Sequence, residues 1–463
     1  MDKDHNSEYK SIITEGDLNT SAERTKWKAR NLEWNTRDWL QKDSDYFIHQ
    51  SLSTPCLNVL EECEGIYIID LLGKKYIDFH GNNVHQLGFR NSFVIERVHE
   101  QLDKLPFSTR RYTNIPAIEL AIQLTEVSSI KFNKVLFAPG GAEANAMAIR
   151  LSRMITGKSK IISMWDSFHG ATLDTIAIGG ESQFKQNSGS LLPEVINIPP
   201  FMSYQGIWCD PFSGDNSDRI IEYLEYVLDR DKGIAALIAE AVRNTTVHIP
   251  PPNFWKRVKE ICEKNGVLLI FDEIATSLYR TGKMFAFENY NVEPDMVTMG
   301  KGLGAGIIPM AALLVRNQFD GFENDSIGHF TFEKNPLGAT AALASLEYIK
   351  EENLVDHIRQ CGEILHKRLK ALKKEYSIVG DVRGIGMLWA IELVKNKVSK
   401  EPAIAESERI MYKCLEKGLN FKVSSGNILT LSPPLIIKKK ELHHALDILE
   451  NSIQLESGKK RKK

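Results

Sequence analysis

The chain has 463 residues and a formal net charge of −2, with 43% hydrophobic and 25% charged residues. This length and composition predict a globular protein of two or three structural units with a large buried core. The near-neutral charge excludes the overall basic footprint of a nucleic-acid-binding protein.

Cysteine usage and the first residues of the chain indicate in which cellular compartment the protein is expected. The six cysteines are scattered, without a C-x-x-C pair or metal-ligand spacing, which predicts free thiols in a reducing environment and no metal site. Residues 1–5 are polar rather than the apolar core of a secretory signal, and no apolar run approaches the ~18 residues of a membrane span. We therefore expect a cytoplasmic protein that binds neither membrane nor nucleic acid. The cysteines are Cys56, Cys63, Cys209, Cys262, Cys361 and Cys414.

Polar and charged residues fill positions 1 to about 45, with Trp27, Trp34 and Trp39 among them. This pattern indicates an amphipathic arm that packs its aromatic side chains on another surface, with a partner subunit as one candidate. From residue 66 the run IYIIDLLGKKYIDF predicts a β-hairpin, because two β-rich stretches flank a Gly-Lys turn. The basic tail at 459–463 has two interpretations, a solvated end or a nucleic-acid or targeting segment, and the first is favoured.

Short apolar runs alternate with helix-length segments from about 134 to 315. This alternation predicts a mostly parallel sheet that is covered by helices on both faces. From about 340 the chain is helix-rich with a short set of strands, which predicts a smaller α+β domain. The predicted strands are KVLFA (134–138), KIISMW (160–165), AALIAE (235–240), VLLIFDE (267–273), MVTMGK (296–301) and MAALLV (310–315).

Three polar features fall at the ends of these strands, where open α/β folds bind their ligands. Asp272 follows five apolar residues, and burying its carboxylate is costly without a cationic partner. One interpretation is a cap on the following turn, and the other is a partner for a protonated pyridine nitrogen. The loop Pro139–Ala144 follows a strand and opens a helix, so its glycines either make a tight turn or let backbone N–H groups approach a phosphate.

The third feature is Lys301, which lies between the apolar run MVTM and the glycine-rich loop GLGAG. It is either an exposed lysine beside a flexible loop or a partly desolvated amine that acts as a nucleophile. The stretch GKGLGAG lacks the Ser or Thr that a P-loop has after its lysine, and it lacks the strand-to-helix context of a dinucleotide site. An anion cradle, a buried acid and an activated lysine together match the phosphate, ring nitrogen and aldehyde of pyridoxal 5'-phosphate (PLP).

Long stretches of the chain from about residue 55 to 450 resemble the class III aminotransferases, which have PLP fold type I. The resemblance is strongest in FAPGGAEANAMAIRLSRMITGKSKII, WDSFHG, FDEIATSLYRTGKMFAFENYNVEPDMVTMGKGLGAG, HFTFEKNPLGATAALA and VRGIGMLWAIEL. It implies an α/β fold with a seven-stranded, mostly parallel sheet in a large domain, and a smaller α+β domain from the N- and C-terminal segments. We place the units at 1–75, 76–335 and 336–463. The resemblance also implies a homodimer with shared active sites.

The resemblance implies that Lys301 holds the cofactor as a Schiff base and that Asp272 pairs with its ring nitrogen. Its phosphate would accept hydrogen bonds from the backbone of Gly141 and Ala142. Thr331 would reach the phosphate of the neighbouring subunit.

The remaining cofactor positions implied by the resemblance surround the ring. Phe168 would stack on one face and Ile274 would pack on the other, with His169 and Glu240 as further cofactor-binding residues. Arg383 would bind a carboxylate or similar anion of the substrate.

Several positions depart from the family's usual pattern. Gly140 replaces the usual serine of the phosphate-binding loop, and Arg243 stands where the family usually has a glutamine. Arg110 and Arg111, in the segment PFSTRRYTN, add further positive charge. A phosphonate dianion favours more than one guanidinium. The predicted substrate-binding residues are therefore Arg110, Arg111, Arg243 and Arg383.

These departures favour an ammonia-lyase of this family that converts 1-hydroxy-2-aminoethylphosphonate to phosphonoacetaldehyde and ammonia. The segments HGNNVHQ and RRYTN also resemble that branch. The alternative is a transaminase that moves an amino group from an ω-amine or amino acid to a keto acid. A third possibility, a non-catalytic PLP-fold scaffold, is disfavoured because Lys301 and Asp272 are both present and no DNA-binding domain is evident.

Overall fold

The computed structural model describes residues 20–51, 53–130, 132–192, 194–209 and 215–457. The basic tail predicted at 459–463 lies outside the described residues. The helices and strands before the central sheet are α1 (Ala22–Asn31), α2 (Trp34–Tyr46), β1 (Leu60–Glu64), β2 (Tyr67–Asp70), β3 (Lys75–Asp78), α3 (Ser92–Lys104) and α4 (Ile115–Glu126).

The middle of the chain builds the central sheet. Its elements are β4 (Lys134–Ala138), α5 (Gly141–Thr156), β5 (Lys160–Met164), α6 (Leu173–Ile178), α7 (Ser182–Lys185), β6 (Val195–Ile198), α8 (Ser217–Arg230), β7 (Ile234–Ala239), α9 (Phe254–Lys264), β8 (Leu268–Asp272), β9 (Met296–Met299) and β10 (Ala311–Val315). The C-terminal elements are α10 (Pro336–Glu351), α11 (Leu354–Glu375), β11 (Val379–Ile385), β12 (Leu388–Leu393), α12 (Ile404–Glu416), β13 (Leu419–Asn420), β14 (Lys422–Ser424), β15 (Ile428–Leu431) and α13 (Lys439–Glu456).

The central sheet has seven strands in the order β4-β10-β9-β8-β7-β5-β6. Only β10 runs against its neighbours, pairing antiparallel with β4 and β9, so the predicted mostly parallel sheet is confirmed. All six predicted runs form strands, and the sheet also contains β6, which we did not predict. Strands β7, β8 and β9 are almost wholly buried because helices cover both faces of the sheet. Because these three strands are parallel neighbours, their carboxyl ends lie at the same edge of the sheet.

Two smaller sheets involve the N- and C-terminal parts of the chain. The predicted hairpin is confirmed as β2 and β3, and β1 extends it into a meander. Strand β13 pairs parallel with β3, placing Leu419 opposite Ile77, so residues far apart in the sequence share one sheet. Strands β11, β12, β15 and β14 form the other, antiparallel sheet. Because β3 spans the predicted boundary at residue 75, the limits of the domains stay a prediction.

The N-terminal arm forms helices α1 and α2. Trp27 is buried and its ring centroid lies 6.2 Å from that of Tyr412 in α12, so this side chain packs within its own chain. Trp27 therefore packs on a surface outside the arm, as expected, and this surface belongs to its own chain rather than to a partner subunit. Trp34 and Trp39 remain 79% and 51% exposed. Within the described ranges, none of the helices combines the length and apolar composition that a membrane span requires.

Candidate active site

A cavity of about 410 Å³ opens at the carboxyl edge of the central sheet. Residues at the carboxyl ends of β4, β5, β7, β8 and β9, or within the next few positions, line most of it, as expected for a ligand site in an α/β sheet. The lining residues are Val84, Pro139, Gly140, Gly141, Ala142, Phe168, His169, Gly170, Glu240, Asn244, Thr245, Asp272, Ile274, Ala275, Lys301, Gly306, Ile307, Ile308, Pro309 and Met310. Eight of the predicted site residues are therefore brought together.

Asp272 ends β8 and holds a buried, fully organised carboxylate. Its Oδ2 accepts hydrogen bonds from Asn145 Nδ2 at 2.7 Å and from His169 Nδ1 at 2.8 Å. Its Oδ1 accepts one from the backbone N–H of Ile274 at 3.0 Å. Burial opposes ionisation, but the His169 hydrogen bond, the Ile274 N–H and the charge of Lys301 hold the pKa of Asp272 below its ordinary value. The side chain is therefore a carboxylate at neutral pH, able to pair with a cationic group in the cavity.

Sequence reasoning missed two residues that orient Asp272. Asn145, in α5, donates from Nδ2 to both Asp272 and the carbonyl of His169, while its Oδ1 accepts from Thr298 Oγ1 at 2.7 Å. Both Asn145 and Thr298 are buried. A signal existed for each, because Asn145 is a polar residue on the buried face of α5 and Thr298 is the only polar residue of strand β9.

The first turn of α5 supplies backbone donors to the cavity. Its first intrahelical hydrogen bond joins Ala144 N–H to Gly140 O, so the N–H groups of Gly141 and Ala142 have no partner within the helix. Both residues line the cavity, and the helix N-terminus favours an anion there. A Cβ at Gly141 would lie 2.9 Å from the side chain of Ile274, so a side chain would intrude on this cradle.

Gly140 stands where the family pattern has a serine. A Cβ at this position would lie 2.7 Å from Glu143 Oε2, so a larger residue would require the Glu143 carboxylate to move. The cradle of this chain therefore relies on backbone N–H groups rather than on a hydroxyl at residue 140.

Lys301 begins a 3₁₀ turn, Lys301–Gly304, directly after β9 and lines the same cavity as Asp272. Its φ of +46° lies in the left-handed region, which is unusual for a residue with a side chain and is tolerated where the surroundings hold it. The following Gly302 packs closely on Gln86, since a Cβ there would lie 2.0 Å from Gln86 Oε1 and this buried side chain would have to shift. The turn is thus fixed between β9 and the segment that contains Gln86.

An aromatic and an aliphatic side chain complete the apolar lining. Phe168 lines the cavity and packs on Phe184 of α7, with ring centroids 4.9 Å apart. Ile274 also lines the cavity and is 9% exposed. Both side chains are available to contact a flat ring.

Glu240 follows β7 and borders the cavity. Its Oε2 accepts a hydrogen bond from the backbone N–H of Asn244 at 2.9 Å. Burial and the negative charge of Asp272 raise its pKa above the ordinary value, although His169, the Asn244 N–H and Arg243 oppose this rise. Glu240 is therefore more readily protonated than Asp272.

None of the four arginines predicted to bind substrate lines the cavity. Arg383 is buried, and its guanidinium donates to Asp381 at 3.1 Å, Glu392 at 2.7 Å and the Thr246 carbonyl at 2.9 Å. Its Nη2 is buried without a hydrogen-bond partner among the described residues. Thr246 follows the cavity-lining Thr245, so Arg383 contacts the residue next to the cavity lining rather than the lining itself.

Three further predicted residues lie on the surface of this chain, namely Arg110, Arg111 and Thr331. Arg110 is exposed, forms an ion pair with Glu333 at 3.4 Å and hydrogen-bonds His329. Thr331 is exposed in the same loop as those two partners, and Arg111 is exposed beside Arg110. These three positions therefore lie together on one surface rather than in the cavity of their own chain.

The cavity fits PLP in each of its chemical requirements. Backbone donors at a helix N-terminus suit the phosphate, an ionised Asp272 suits a protonated ring nitrogen, and the Lys301 amine suits the aldehyde. A glycine cradle that any Cβ would narrow is also consistent with a bulky phosphate group.

Comparison with known proteins identifies the family. The model of the family described as Aminotransferase class-III matches residues 48–453. The chain belongs to the class III aminotransferases. It is a PLP-dependent enzyme with the α/β architecture of fold type I, as the sequence indicated.

Three similar proteins span different reactions. The (R)-1-hydroxy-2-aminoethylphosphonate ammonia-lyase of Vibrio splendidus strain 12B01 is 45% identical over 453 residues, covering 95% of this chain and 95% of that protein. The leucine/methionine racemase of Thermococcus litoralis is 33% identical over 434 residues, covering 91% and 96%. The solved omega transaminase from Pseudomonas jessenii in complex with PMP has a TM-score of 0.84 at 27% identity, covering 90% and 98%.

Proposed function

We propose that this enzyme is a PLP-dependent ammonia-lyase that converts (R)-1-hydroxy-2-aminoethylphosphonate to phosphonoacetaldehyde and ammonia. The observation that carries the proposal is the 45% identity to the Vibrio lyase over 95% of both chains, against 33% for the racemase. The cavity supplies the two groups that such a reaction requires, an amine at Lys301 and a carboxylate at Asp272.

Lys301 and Asp272 have separate roles in the cavity. When bound, PLP withdraws electrons from the carbon that bears the substrate's amine, so that a proton on this carbon becomes acidic. Lys301 would hold the aldehyde of the cofactor, and its Nζ would act as the positioned base that takes this proton from the substrate. Asp272, fixed by Asn145 and His169, keeps the ring nitrogen protonated and so sustains the electron withdrawal.

The chemistry of the substrate decides between elimination and transfer. After the proton reaches Lys301, the bond between the adjacent carbon and its hydroxyl breaks, and the hydroxyl leaves as water. The unsaturated amine that results gains water and releases ammonia, so one substrate gives one aldehyde and one ammonia. No keto acid enters this balance, whereas a transaminase requires one as the amino-group acceptor.

We assign recognition of the phosphonate group first to Arg383. Its buried Nη2 has no partner in the described chain, and its Nε contacts the residue next to the cavity-lining Thr245. Asp381 and Glu392 hold the other side of the guanidinium, which orients it without using every donor.

We further infer a homodimer in which each subunit completes the site of the other. Ile115, Ile118 and Ile122 of α4 leave 64%, 45% and 51% of their surfaces exposed, which forms an apolar stripe suited to a subunit interface. The loops that carry Thr331, Arg110 and Arg111 lie outside the chain's own cavity, as expected if they act on the cavity of the partner.

We place the enzyme in the cytoplasm because all six cysteines are free in the structure.

The test is ammonia release by purified PLP-loaded enzyme from (R)-1-hydroxy-2-aminoethylphosphonate without any keto acid. We expect stoichiometric ammonia and phosphonoacetaldehyde. The control substrate is 2-aminoethylphosphonate, which lacks the leaving hydroxyl and should release no ammonia. Activity that depends strictly on pyruvate or 2-oxoglutarate, with either phosphonate, would identify a transaminase instead.

A further inference from the structure

Arg243 contacts the protein rather than the cavity. Its guanidinium hydrogen-bonds the backbone carbonyl of Asp166, and it lies 3.9 Å from the carboxylates of both Asp166 and Glu181. Only 12% of its side chain is exposed. Its own backbone is fixed as well, since its N–H donates to the carbonyl of His248 at 3.2 Å.

The charges around Arg243 are unfavourable for an additional anion. Asp166 and Glu181 flank the guanidinium. Glu240 is also near: burial and the charge of Asp272 raise the pKa of Glu240, and the charge of Arg243 opposes this rise. Three carboxyl groups therefore surround one cation. The Nε of Arg243 has no hydrogen-bond partner in the described part of the chain, but a phosphonate dianion at this atom would be repelled by the three carboxyl groups.

The turn that Arg243 contacts presents Phe168 and His169 to the cavity. Asp166 has a φ of +61°, a left-handed conformation that surrounding contacts must stabilise. The Ser167 hydroxyl donates to the carbonyl of Met164 at 2.7 Å, which ties one side of the turn to the end of β5. The Ser167 carbonyl accepts from Gly180 N–H at 2.8 Å, which ties the other side to the segment before α7.

Arg243 joins these same two segments a second time. Asp166 belongs to the turn and Glu181 is the N-cap of α7, whose Phe184 packs on Phe168. One guanidinium thus holds the turn and the helix that supports its aromatic ring. Removing it leaves the Asp166 carbonyl without this charge-assisted donor.

We propose that Arg243 is a positioning residue that fixes Phe168 and His169 for the cofactor, and that it does not bind the substrate's anion. The inference rests on the binding of PLP in this cavity, and it does not depend on which amine is the substrate. A glutamine, the residue usual in the family, is shorter and uncharged and cannot replace both contacts.

The test compares Arg243→Gln with wild type in the absence of substrate. Weaker support for Phe168 and His169 should raise the dissociation constant of PLP by about tenfold, the order expected for one hydrogen bond to a charged group. The visible circular dichroism of the bound cofactor should also fall, because the ring is held less firmly against Phe168. At saturating PLP, the KM for 1-hydroxy-2-aminoethylphosphonate should stay within about threefold of wild type.

Two further variants make the result specific. Arg243→Lys keeps a cationic donor for the Asp166 carbonyl, so it should restore PLP affinity to within about threefold of wild type. Arg257→Gln removes an exposed arginine that pairs with Asp218 on α8, and it should change neither measurement. If Arg243→Gln folds poorly, Glu181→Gln replaces it, because this variant removes only the α7 side of the contact; it should also weaken PLP binding, and wild-type affinity would contradict the inference.

The inference is overturned if Arg243→Gln binds PLP with wild-type affinity and dichroism, whatever happens to KM. A rise in KM above about tenfold with unchanged PLP binding would assign Arg243 to the substrate instead. Because the cofactor measurements need no turnover, a wrong substrate in the proposed reaction leaves this test intact.

Discussion

At the scale of single residues, Asp272 shows how a buried carboxylate is kept ionised. Burial alone would favour its neutral form, but three donors from Asn145, His169 and Ile274 converge on its two oxygens. Its charge is thereby fixed in place before any ligand arrives. A pre-oriented charge needs little rearrangement during the reaction, which is the main advantage of an enzyme site over water.

Asp272→Asn removes this charge while keeping the shape of the side chain. We expect turnover at saturating PLP to fall by roughly 10²–10³-fold, the loss typical when one pre-oriented electrostatic group is removed. The measurement is kcat for ammonia release. Asp320→Asn, which loses only a half-exposed ion pair with Lys134, is the matched control and should retain wild-type turnover. Equal activity of the two variants would contradict the role of Asp272.

Glu273, next in the chain, should make stability depend on pH. Burial, aided by the charge of Asp272, raises its pKa from 4.5 to about 7 despite hydrogen bonds from Ala286 N–H, Phe287 N–H and Thr276. Between these two values the folded state binds more protons at this site than the unfolded state. The contribution of Glu273 to the free energy of unfolding should therefore fall by about 3 kcal/mol as the pH rises from 4.5 to 7.

The measurement is the free energy of unfolding in urea at pH 5 and pH 8, for wild type and Glu273→Gln. Glutamine does not titrate, so this variant should lose less stability than wild type over the same interval. All other titrating groups are common to both proteins and cancel in the comparison. The same pH dependence in both would show that Glu273 does not titrate in this range.

At the scale of elements, the start of helix α5 depends on a close approach of the Phe168 turn. Gly170 has a φ of +133°, and a Cβ there would lie 2.6 Å from Ala142 Cβ and 2.9 Å from its Cα. The turn after β5 and the first turn of α5 therefore fit together only with glycine at this position.

Gly170→Ala should displace Ala142 and weaken PLP binding by at least about tenfold, since it disturbs a charge-assisted phosphate contact. Gly157→Ala is the matched control at the other end of α5. Gly157 has a φ of +66° and open space for a Cβ, so we expect a loss of about 1 kcal/mol in stability and no change in PLP affinity. The measurement is the dissociation constant of PLP for each variant, determined by absorbance titration. Equal affinity in both variants would refute the coupling between these elements.

The sequence allowed most of the elements around the site to be predicted, for identifiable reasons. Apolar runs such as those of β7 and β8 are buried on both faces and contain no polar interruption. The direction of β10 was not predicted, because an apolar run reads alike in a parallel or antiparallel strand. Strand β6 is short and contains Asn197, so its apolar pattern was too weak to recognise.

The same reasoning explains which site residues were recognised. Asp272 and Lys301 stand at the ends of apolar strands, where a polar residue is conspicuous. Asn145 and Thr298 lie inside regular elements, and their importance depends on contacts between residues 153 positions apart in the chain. Arg243 meets Asp166 and Glu181 from distant segments, whereas Arg383 meets Asp381 on its own strand and Glu392 on the neighbouring strand β12. The charge of either arginine in the sequence could not show these ion pairs.

At the scale of the whole molecule, the surface of α4 and the neighbouring loops should form the subunit interface. Phe107 and Phe332 meet edge to face at 5.4 Å beside the ion pair of Arg110 with Glu333, which joins the two exposed loops. The exposed isoleucines of α4 follow the first of these loops directly in the chain.

Ile118→Asp places a charge in the middle of the exposed isoleucine stripe of α4. We expect dissociation to monomers and loss of most activity, because the partner would no longer supply Thr331 and the neighbouring arginines. Val398→Asp, at a position that is 92% exposed and remote in the sequence, is the control and should stay dimeric and active. Sedimentation velocity gives the oligomeric state. A fully active monomer would contradict shared active sites.

The most direct test of the whole account is to find the lysine that holds the cofactor. Reduction of the PLP-loaded enzyme with borohydride makes the bond between the lysine amine and the aldehyde permanent, and peptide mass spectrometry then locates it. We predict a single modified peptide that contains Lys301. The control is the same enzyme without PLP, which should give no modified peptide. Modification at another lysine, or no modification of the loaded enzyme, would contradict the placement of the cofactor opposite Asp272.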